Sequence, residues 1–105
     1  MKIRRVTTID VQEGKSKQAW EWAIRIAAYH IEDFDVEIDV LEQIYAPGRS
    51  VIWTQEYESL AAFEAWRDNA LADAGHQSLM TEAAEQGLFS FSTTKEELLR
   101  IRSGS

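Results

Sequence analysis

The sequence lacks cysteine altogether and has only one proline and two histidines in 105 residues. Without cysteine there is no disulfide framework, no thiolate zinc site and no cysteine nucleophile. Two histidines on different predicted helices are too few for a metal site built from several imidazoles. Basic residues are also scarce, since 11 Lys and Arg against 18 Asp and Glu give a formal net charge of −7. This balance argues against binding to nucleic acid or to an anionic membrane surface.

Long apolar runs are missing as well. No stretch approaches the roughly 18 residues of a membrane span, and Met1 to Arg5 show no signal-peptide pattern. We therefore expect a cytoplasmic protein. The chain does have 45% hydrophobic residues, among them four Trp, four Phe and three Tyr. We assign residues 1–102 to a single domain and 103–105 to a frayed tail; a domain this small often relies on a partner subunit.

The spacing of the apolar residues predicts alternating strands and helices. In chain order these are a strand over 2–11, a helix over 15–31, strands over 34–46 and 51–57 joined by a turn at 46–49, a helix from Ser59 that Gly75 breaks or bends, a helical segment over 76–86, and a strand over 88–92. Ser16 and Ser59 are the predicted N-caps. The capping-box pattern from Thr94 to Glu97 predicts a short terminal helix.

The first predicted helix carries two apolar rows about 200° apart. The row expected to face a sheet is Trp20, Ala23, Ile24, Ala27 and Ile31. The second row is Trp22, Ile26 and Tyr29, and it needs cover from another element. His30 lies on the flank of this helix, where we expect an interface or surface residue.

The order β-α-β-β-α-β predicts an α+β, ferredoxin-like sandwich in which helices cover one face of a four-stranded sheet. Val6, Leu41 and Ile52 fall on the other face, among polar residues. Two such faces packed together would bury these side chains. The pattern therefore favours a homodimer that closes into an α+β barrel.

The segments Glu56 to Ser59 and Ala62 to Trp66, followed by His76, resemble the dimeric α+β barrel proteins of the antibiotic-biosynthesis-monooxygenase type. That resemblance implies a homodimer with a pocket between sheet and helices for a small, flat, hydrophobic or aromatic molecule. The implied chemistry is a monooxygenase-like oxidation without a cofactor.

A second branch of that superfamily, the heme-degrading monooxygenases, has a Phe-x-x-Trp followed ten residues later by a heme-ligating His. Phe63, Trp66 and His76 are similar to that pattern, as is the run from Leu41 to Gln43. The Asn that this branch carries on its first strand is absent from Val6-Thr7-Thr8. Heme bound through His76 is therefore the alternative cofactor, and no other metal is expected.

The resemblance and the predicted faces together give a set of candidate site residues. As catalytic residues we assign Trp66 to stack on the substrate, His76 to polarise an oxygen or accept a proton, and Thr7 to orient polar groups. Arg5, as an anion anchor, and Trp53, Phe63 and Met80 are the candidate ligand-binding residues.

Purely structural roles remain open for the same side chains. An aromatic residue at helical spacing is first of all a packing residue, which favours Trp66 as a core residue, and His76 is interpretable as a partly buried histidine bonded to a carbonyl. Arg5 needs a partner, with Glu42 or Glu56 as candidates, or forms a salt bridge at an edge or between subunits. A third function is then a non-enzymatic binding or assembly module whose pocket is filled by its own aromatic side chains.

Overall fold

The computed structural model describes residues 1–45 and 49–103. Its elements are β1 (Ile3–Val11), α1 (Ser16–Phe34), β2 (Ile38–Glu42), β3 (Ser50–Tyr57), α2 (Leu60–Ala72), α3 (Ala74–Gln86) and β4 (Phe89–Arg100). The order confirms the predicted α+β, ferredoxin-like fold, with its second helical segment divided into α2 and α3. The predicted turn residues Ala46, Pro47 and Gly48 lie outside the described residues.

The sheet has the strand order β2-β3-β1-β4, and every neighbouring pair is antiparallel. β1 is central and pairs with β3 from Ile3 opposite Tyr57 to Asp10 opposite Ser50. Because residues directly opposite each other share a face, Ile3, Ile9 and their partners Tyr57 and Val51 all lie on one side. Those four side chains are buried, which identifies the side that the helices cover.

The chain after residue 92 is the largest departure from the predicted elements. The terminal helix predicted from Thr94 is wrong, because Phe89–Arg100 is one strand of 12 residues. Its outer part, from Lys95 to Arg100, pairs with the segment from Thr8 back to Ile3 on β1. Without that pairing, the side of β1 that faces away from β3 would be an unpaired edge from Ile3 to Thr8. Ladder hydrogen bonds to a central strand therefore outweigh a local helix-capping pattern.

The orientation of α1 also differs from the prediction. Its buried residues are Ala19, Trp22, Ala23, Ala27 and His30. Ile24 and Ile31 of the predicted core row are 59% and 46% exposed, whereas Trp22 is 5% exposed. Trp22 belongs to the core because its ring packs on the sheet and its Nε1–H donates to Leu79 O of α3 at 2.8 Å. These buried residues form the one row of α1 that faces the sheet. Around the helix axis, the centre of this row lies between the two predicted rows.

The helix ends follow capping chemistry. The predicted Ser16 cap is wrong, since Lys15 precedes the helix and provides no side-chain cap. The Ser59 cap is confirmed by a hydrogen bond from Ala62 N to Ser59 Oγ at 3.1 Å. The break between α2 and α3 falls at Asp73, not at Gly75, and the Asp73 side chain caps α3.

Gly75 has a different role from the predicted break. A Cβ added to Gly75 would lie 2.5 Å from Cζ of Tyr29 and closer still to its hydroxyl. Glycine therefore allows the first turn of α3 to approach α1 closely. In the described part of the chain, no helix is both long enough and apolar enough to cross a membrane.

Candidate active site

A cavity of about 250 Å³ lies between the helix-covered side of the sheet and the helices, and it is partly open to solvent. Its apolar wall consists of Ile9, Trp22, Ile26, Ala27, Ile38, Trp53, Trp66, Met80, Phe89 and Phe91. Its polar groups are Arg5, Thr7, His30, Gln55, His76, Thr94 and Glu96. The fold thus brings together six of the seven predicted site residues around one cavity.

Phe63 is the predicted site residue that the cavity does not include. It is 3% exposed, and its ring packs on Tyr57 and Trp66 with centroid distances of 5.5 and 6.1 Å. Trp66 therefore lies between Phe63 and the cavity-lining histidines, since its ring centroid is 5.4 Å from that of His30. Phe63 supports the wall and does not form it.

Arg5 is held by two partners across the sheet, neither of which is Glu42 or Glu56. Its Nε donates to Glu96 Oε1 and its Nη1 to Gln55 Oε1, both at 2.8 Å. Its guanidinium lies 5.1 Å above the ring of Trp66. Glu56 instead bonds to Arg4 on the opposite side of the sheet. Two of the five N–H groups of Arg5 are used in these bonds, so Arg5 retains donors for a ligand.

Three residues that line the cavity have a buried polar atom with no hydrogen-bond partner in the described chain. These atoms are Thr7 Oγ1, His30 Nδ1 and Trp66 Nε1. An unpaired buried polar atom costs about 1–3 kcal/mol, so folded proteins rarely leave several of them together. Two of the three, Thr7 Oγ1 and Trp66 Nε1, belong to side chains assigned to the site, and a polar group of a ligand, or water, that approaches them would complete it.

The two histidines of the chain meet at this cavity. His30 Nε2 of α1 lies 2.9 Å from His76 Nδ1 of α3. Burial lowers the pKa of His30 to about 4, and the nearby His76 and Arg5 act in the same direction. Burial also lowers the pKa of His76. Both rings are therefore neutral at pH 7, and a single N–H lies between them.

Asp73 fixes His76 relative to α1. Its Oδ2 accepts a hydrogen bond from the His76 backbone N–H at 2.9 Å and another from the Tyr29 hydroxyl. The Tyr29 hydroxyl, followed by the backbone N–H, lowers the pKa of Asp73, and the same carboxylate raises the pKa of Tyr29. The residue that caps α3 thus also forms one of the hydrogen bonds that join α3 to α1.

Sequence reasoning missed His30, Gln55 and Glu96 as residues of the site. His30 was expected at the surface or an interface, yet it is only 3% exposed. A signal was available, because His30 lies three residues after Ala27 and seven after Ala23, on the same side of the helix. Glu96 could not be found, since it was assigned to a terminal helix.

Comparison with known proteins gives matches in structure only. No family model and no curated protein sequence matches the chain. A NIPSNAP-like domain protein from Burkholderia xenovorans superposes with a TM-score of 0.81 at 16% identity, covering 99% of this chain and 88% of its own. SnoaB, a cofactor-independent oxygenase from Streptomyces nogalater, gives 0.71 at 18% identity, with 98% and 95% covered.

A candidate antibiotic biosynthesis monooxygenase from Deinococcus radiodurans gives a TM-score of 0.71 at 13% identity, with 98% and 95% covered. The chain therefore shares the α+β, ferredoxin-like fold of these proteins. At identities this low the superpositions show the fold alone, and the activity has to be argued from the site.

Heme is the cofactor that the resemblance to heme-degrading monooxygenases would imply, and the cavity does not fit it. The cavity volume of about 250 Å³ lies below the roughly 300–1,000 Å³ of pockets for drug-sized ligands, and a four-pyrrole macrocycle needs a large one. His30 contacts His76 only at Nδ1 and leaves His76 Nε2 free, so the cavity volume, and not the histidine pair, argues against the macrocycle. Within residues 1–45 and 49–103, no three His, Cys, Asp or Glu side chains form a metal-binding group.

Proposed function

We propose that this protein binds a flat aromatic molecule in the cavity and acts as a cofactor-independent monooxygenase-like enzyme. The observation that carries the proposal is the pairing of aromatic walls with the unpartnered atoms of Thr7 and Trp66. Aromatic walls favour a planar apolar body, and a few convergent polar groups orient it. The likeness in fold to SnoaB supports the same activity class.

The proposed chemistry needs an oxidisable substrate and a dry site. A methylene between two aromatic rings reacts with O₂ to give a ketone and water, so that the substrate supplies all four electrons. The protein then contributes orientation and exclusion of water. Trp66 would stack on the rings, His76 would contact the reacting oxygen, and Thr7 and Arg5 would orient polar substituents.

The first prediction concerns ligand binding. We expect 1-naphthol to quench the tryptophan fluorescence saturably, because Trp22, Trp53 and Trp66 line the cavity. Ala27→Leu places extra volume in the cavity wall and should weaken binding at least about tenfold. Ala28→Leu is the matched control, since Ala28 is the adjacent exposed residue on α1. Circular dichroism checks that both variants are folded.

The alternatives give different results in the same experiments. No saturable quenching, or equal affinities of the Ala27 and Ala28 variants, would contradict a ligand site in this cavity.

Titration with hemin should leave the Soret band as in free hemin, and a shift abolished by His76→Ala would favour heme instead. Anthrone under air, followed with an oxygen electrode, tests for uptake of one O₂ per molecule. Binding without uptake would favour a non-enzymatic binding module.

We also propose that the chain forms a homodimer through the sheet face opposite the helices. Val6 and Ile52 are half-buried there, and Leu41 and Leu99 are both 45% exposed. Apolar side chains of this size on an otherwise polar face are best covered by a second copy, which presents the same face. The resemblance to dimeric α+β barrels supports the same arrangement.

The second prediction concerns this dimer. Sedimentation at micromolar concentration should give twice the 12.0 kDa of one chain. Leu99→Lys should shift the protein towards the monomer, because it places a charge in the proposed interface. Leu98→Lys is the matched control, since Leu98 is adjacent, 44% exposed and on the helix side of the strand. A 12.0 kDa species in the unmodified protein would refute the dimer.

A further inference from the structure

The hydrogen bond between the two histidines determines what His76 can offer to a ligand. The 2.9 Å contact joins His30 Nε2 to His76 Nδ1, which leaves His76 Nε2 and His30 Nδ1 as the two outer nitrogens. Each neutral ring carries one proton, so only two proton arrangements are compatible with this contact. In one arrangement His76 is a hydrogen-bond donor at Nε2, and in the other it is an acceptor and potential base.

The surroundings of His30 distinguish the two arrangements. His30 is 3% exposed, and its Nδ1 has no hydrogen-bond partner in the described chain. Its ring is stacked on Phe34 at 4.8 Å and packed against Tyr29 and Trp66. A proton on Nδ1 would be a buried N–H without an acceptor, and such donors are rarer in proteins than acceptors that lack a donor. The proton of His30 therefore belongs on Nε2, towards His76.

We propose that His30 is a positioning residue that donates its Nε2–H to His76 Nδ1 and so fixes His76 as the tautomer that presents Nε2–H. This inference rests on the proposed function for its ligand class. A site with this donor takes an aromatic molecule whose reacting end is an acceptor oxygen, such as a carbonyl or a phenolate. Of the two roles assigned to His76, polarising an oxygen is then the one it performs.

The same geometry argues against His76 as a base. In this tautomer Nε2 of His76 already carries a proton and Nδ1 accepts from His30, so neither nitrogen of the ring is open to a proton from the substrate. Burial, which is the largest effect, and Arg5 lower the pKa of His76 while Asp73 raises it, so a buried imidazolium is disfavoured. Arg5, Thr7 and the His76 N–H are all donors, which together match an oxygen that gains negative charge during reaction.

The test is the tautomeric state of each ring in the ligand-free protein. With ¹⁵N-labelled histidine, two-bond ¹H–¹⁵N correlation spectra at pH 7 should show both rings protonated at Nε2, with His30→Gln and His76→Gln providing the assignments. His30→Phe keeps an aromatic ring but removes the donor, and it should convert His76 into a mixture of tautomers. His30→Gln retains an amide N–H near the same position and should restore the single tautomer. A protonated Nδ1 on His76 in the unmodified protein would overturn the inference, as would an unchanged tautomer in His30→Phe.

The ligand class is tested with a pair of probes of the same shape. 1-Tetralone has a carbonyl acceptor and no donor, whereas tetralin has neither, so the carbonyl should tighten binding about 2- to 10-fold. His76→Phe should remove that difference. Equal affinities in the unmodified protein would overturn the acceptor-oxygen class. If neither probe bound, the proposed function would fail, while the spectra would still decide the tautomer.

Discussion

Replacing Trp22 by alanine is expected to lower the free energy of unfolding by about 3–5 kcal/mol. Trp22 is 5% exposed, and its ring contacts Phe89 at 5.4 Å and Trp53 at 6.2 Å. The substitution also leaves Leu79 O without its donor. Against a typical total of about 5–15 kcal/mol, such a loss takes the domain close to unfolding. Urea unfolding followed by circular dichroism measures it.

Trp20→Ala is the matched control for this prediction. Both residues are tryptophans on α1, but Trp20 is only half-buried and is not part of the fully buried core. We expect it to cost less than about 2 kcal/mol. Trp22→Phe keeps a large ring and loses the hydrogen bond, so it should fall between the two alanine variants. A greater loss from Trp20→Ala than from Trp22→Ala would mean that α1 presents its other row to the sheet.

Period-two alternation and helical spacing were sufficient to predict the order of the elements as far as the start of β4. Each central strand has one buried face, and each helix one buried side, so local patterns carry the information. The rotation of α1 was not predictable, because apolar residues surround most of that helix. Its rotation depends on which tryptophan finds an acceptor on α3, and that acceptor, Leu79 O, is distant in sequence.

In β4, by contrast, a clear local signal predicts the wrong element. Its sequence from Thr94 to Glu97 has a good local signal for a helix start, and the strand forms because β1 lies beside it. Local preference competes here with ladder bonds that only the folded sheet supplies. Because the sequence predicts this segment as a helix, it does not place Glu96 in the site and does not identify Glu96 as the partner of Arg5.

A residue of the candidate site was predictable where the alternation along its strand shows on which side of the sheet its side chain lies. Thr7 and Arg5 lie on the same side of β1 as the buried Ile3 and Ile9, so their position on the cavity side follows from alternation. The pairing of His30 with His76 joins residues 46 positions apart on different helices. No local pattern encodes that contact, which depends on the close approach that Gly75 permits.

The buried histidine makes the stability of the protein depend on pH. Burial lowers the pKa of folded His30 to about 4, while in the unfolded chain it stays near 6.5. Between these values the unfolded state binds more protons, so stability falls as the pH falls from about 6.5 towards 4. A difference of this size corresponds to at most about 3 kcal/mol. The lowered pKa of His76 acts in the same direction, whereas the lowered pKa of Asp73 removes stability only below its ordinary value of 3.8.

His30→Gln separates this effect from the titration of other groups. The charged and titratable groups that act on His30 are His76, Arg5, Asp73 and Asp33, and all four remain in that variant. Urea unfolding at pH 7 and pH 4.5 should show a smaller loss on acidification in His30→Gln than in the unmodified protein, by roughly 2 kcal/mol. Equal losses would contradict a neutral, buried His30. Because that neutrality is also what leaves one proton between the two rings, the same result would remove the basis for a fixed His76 tautomer.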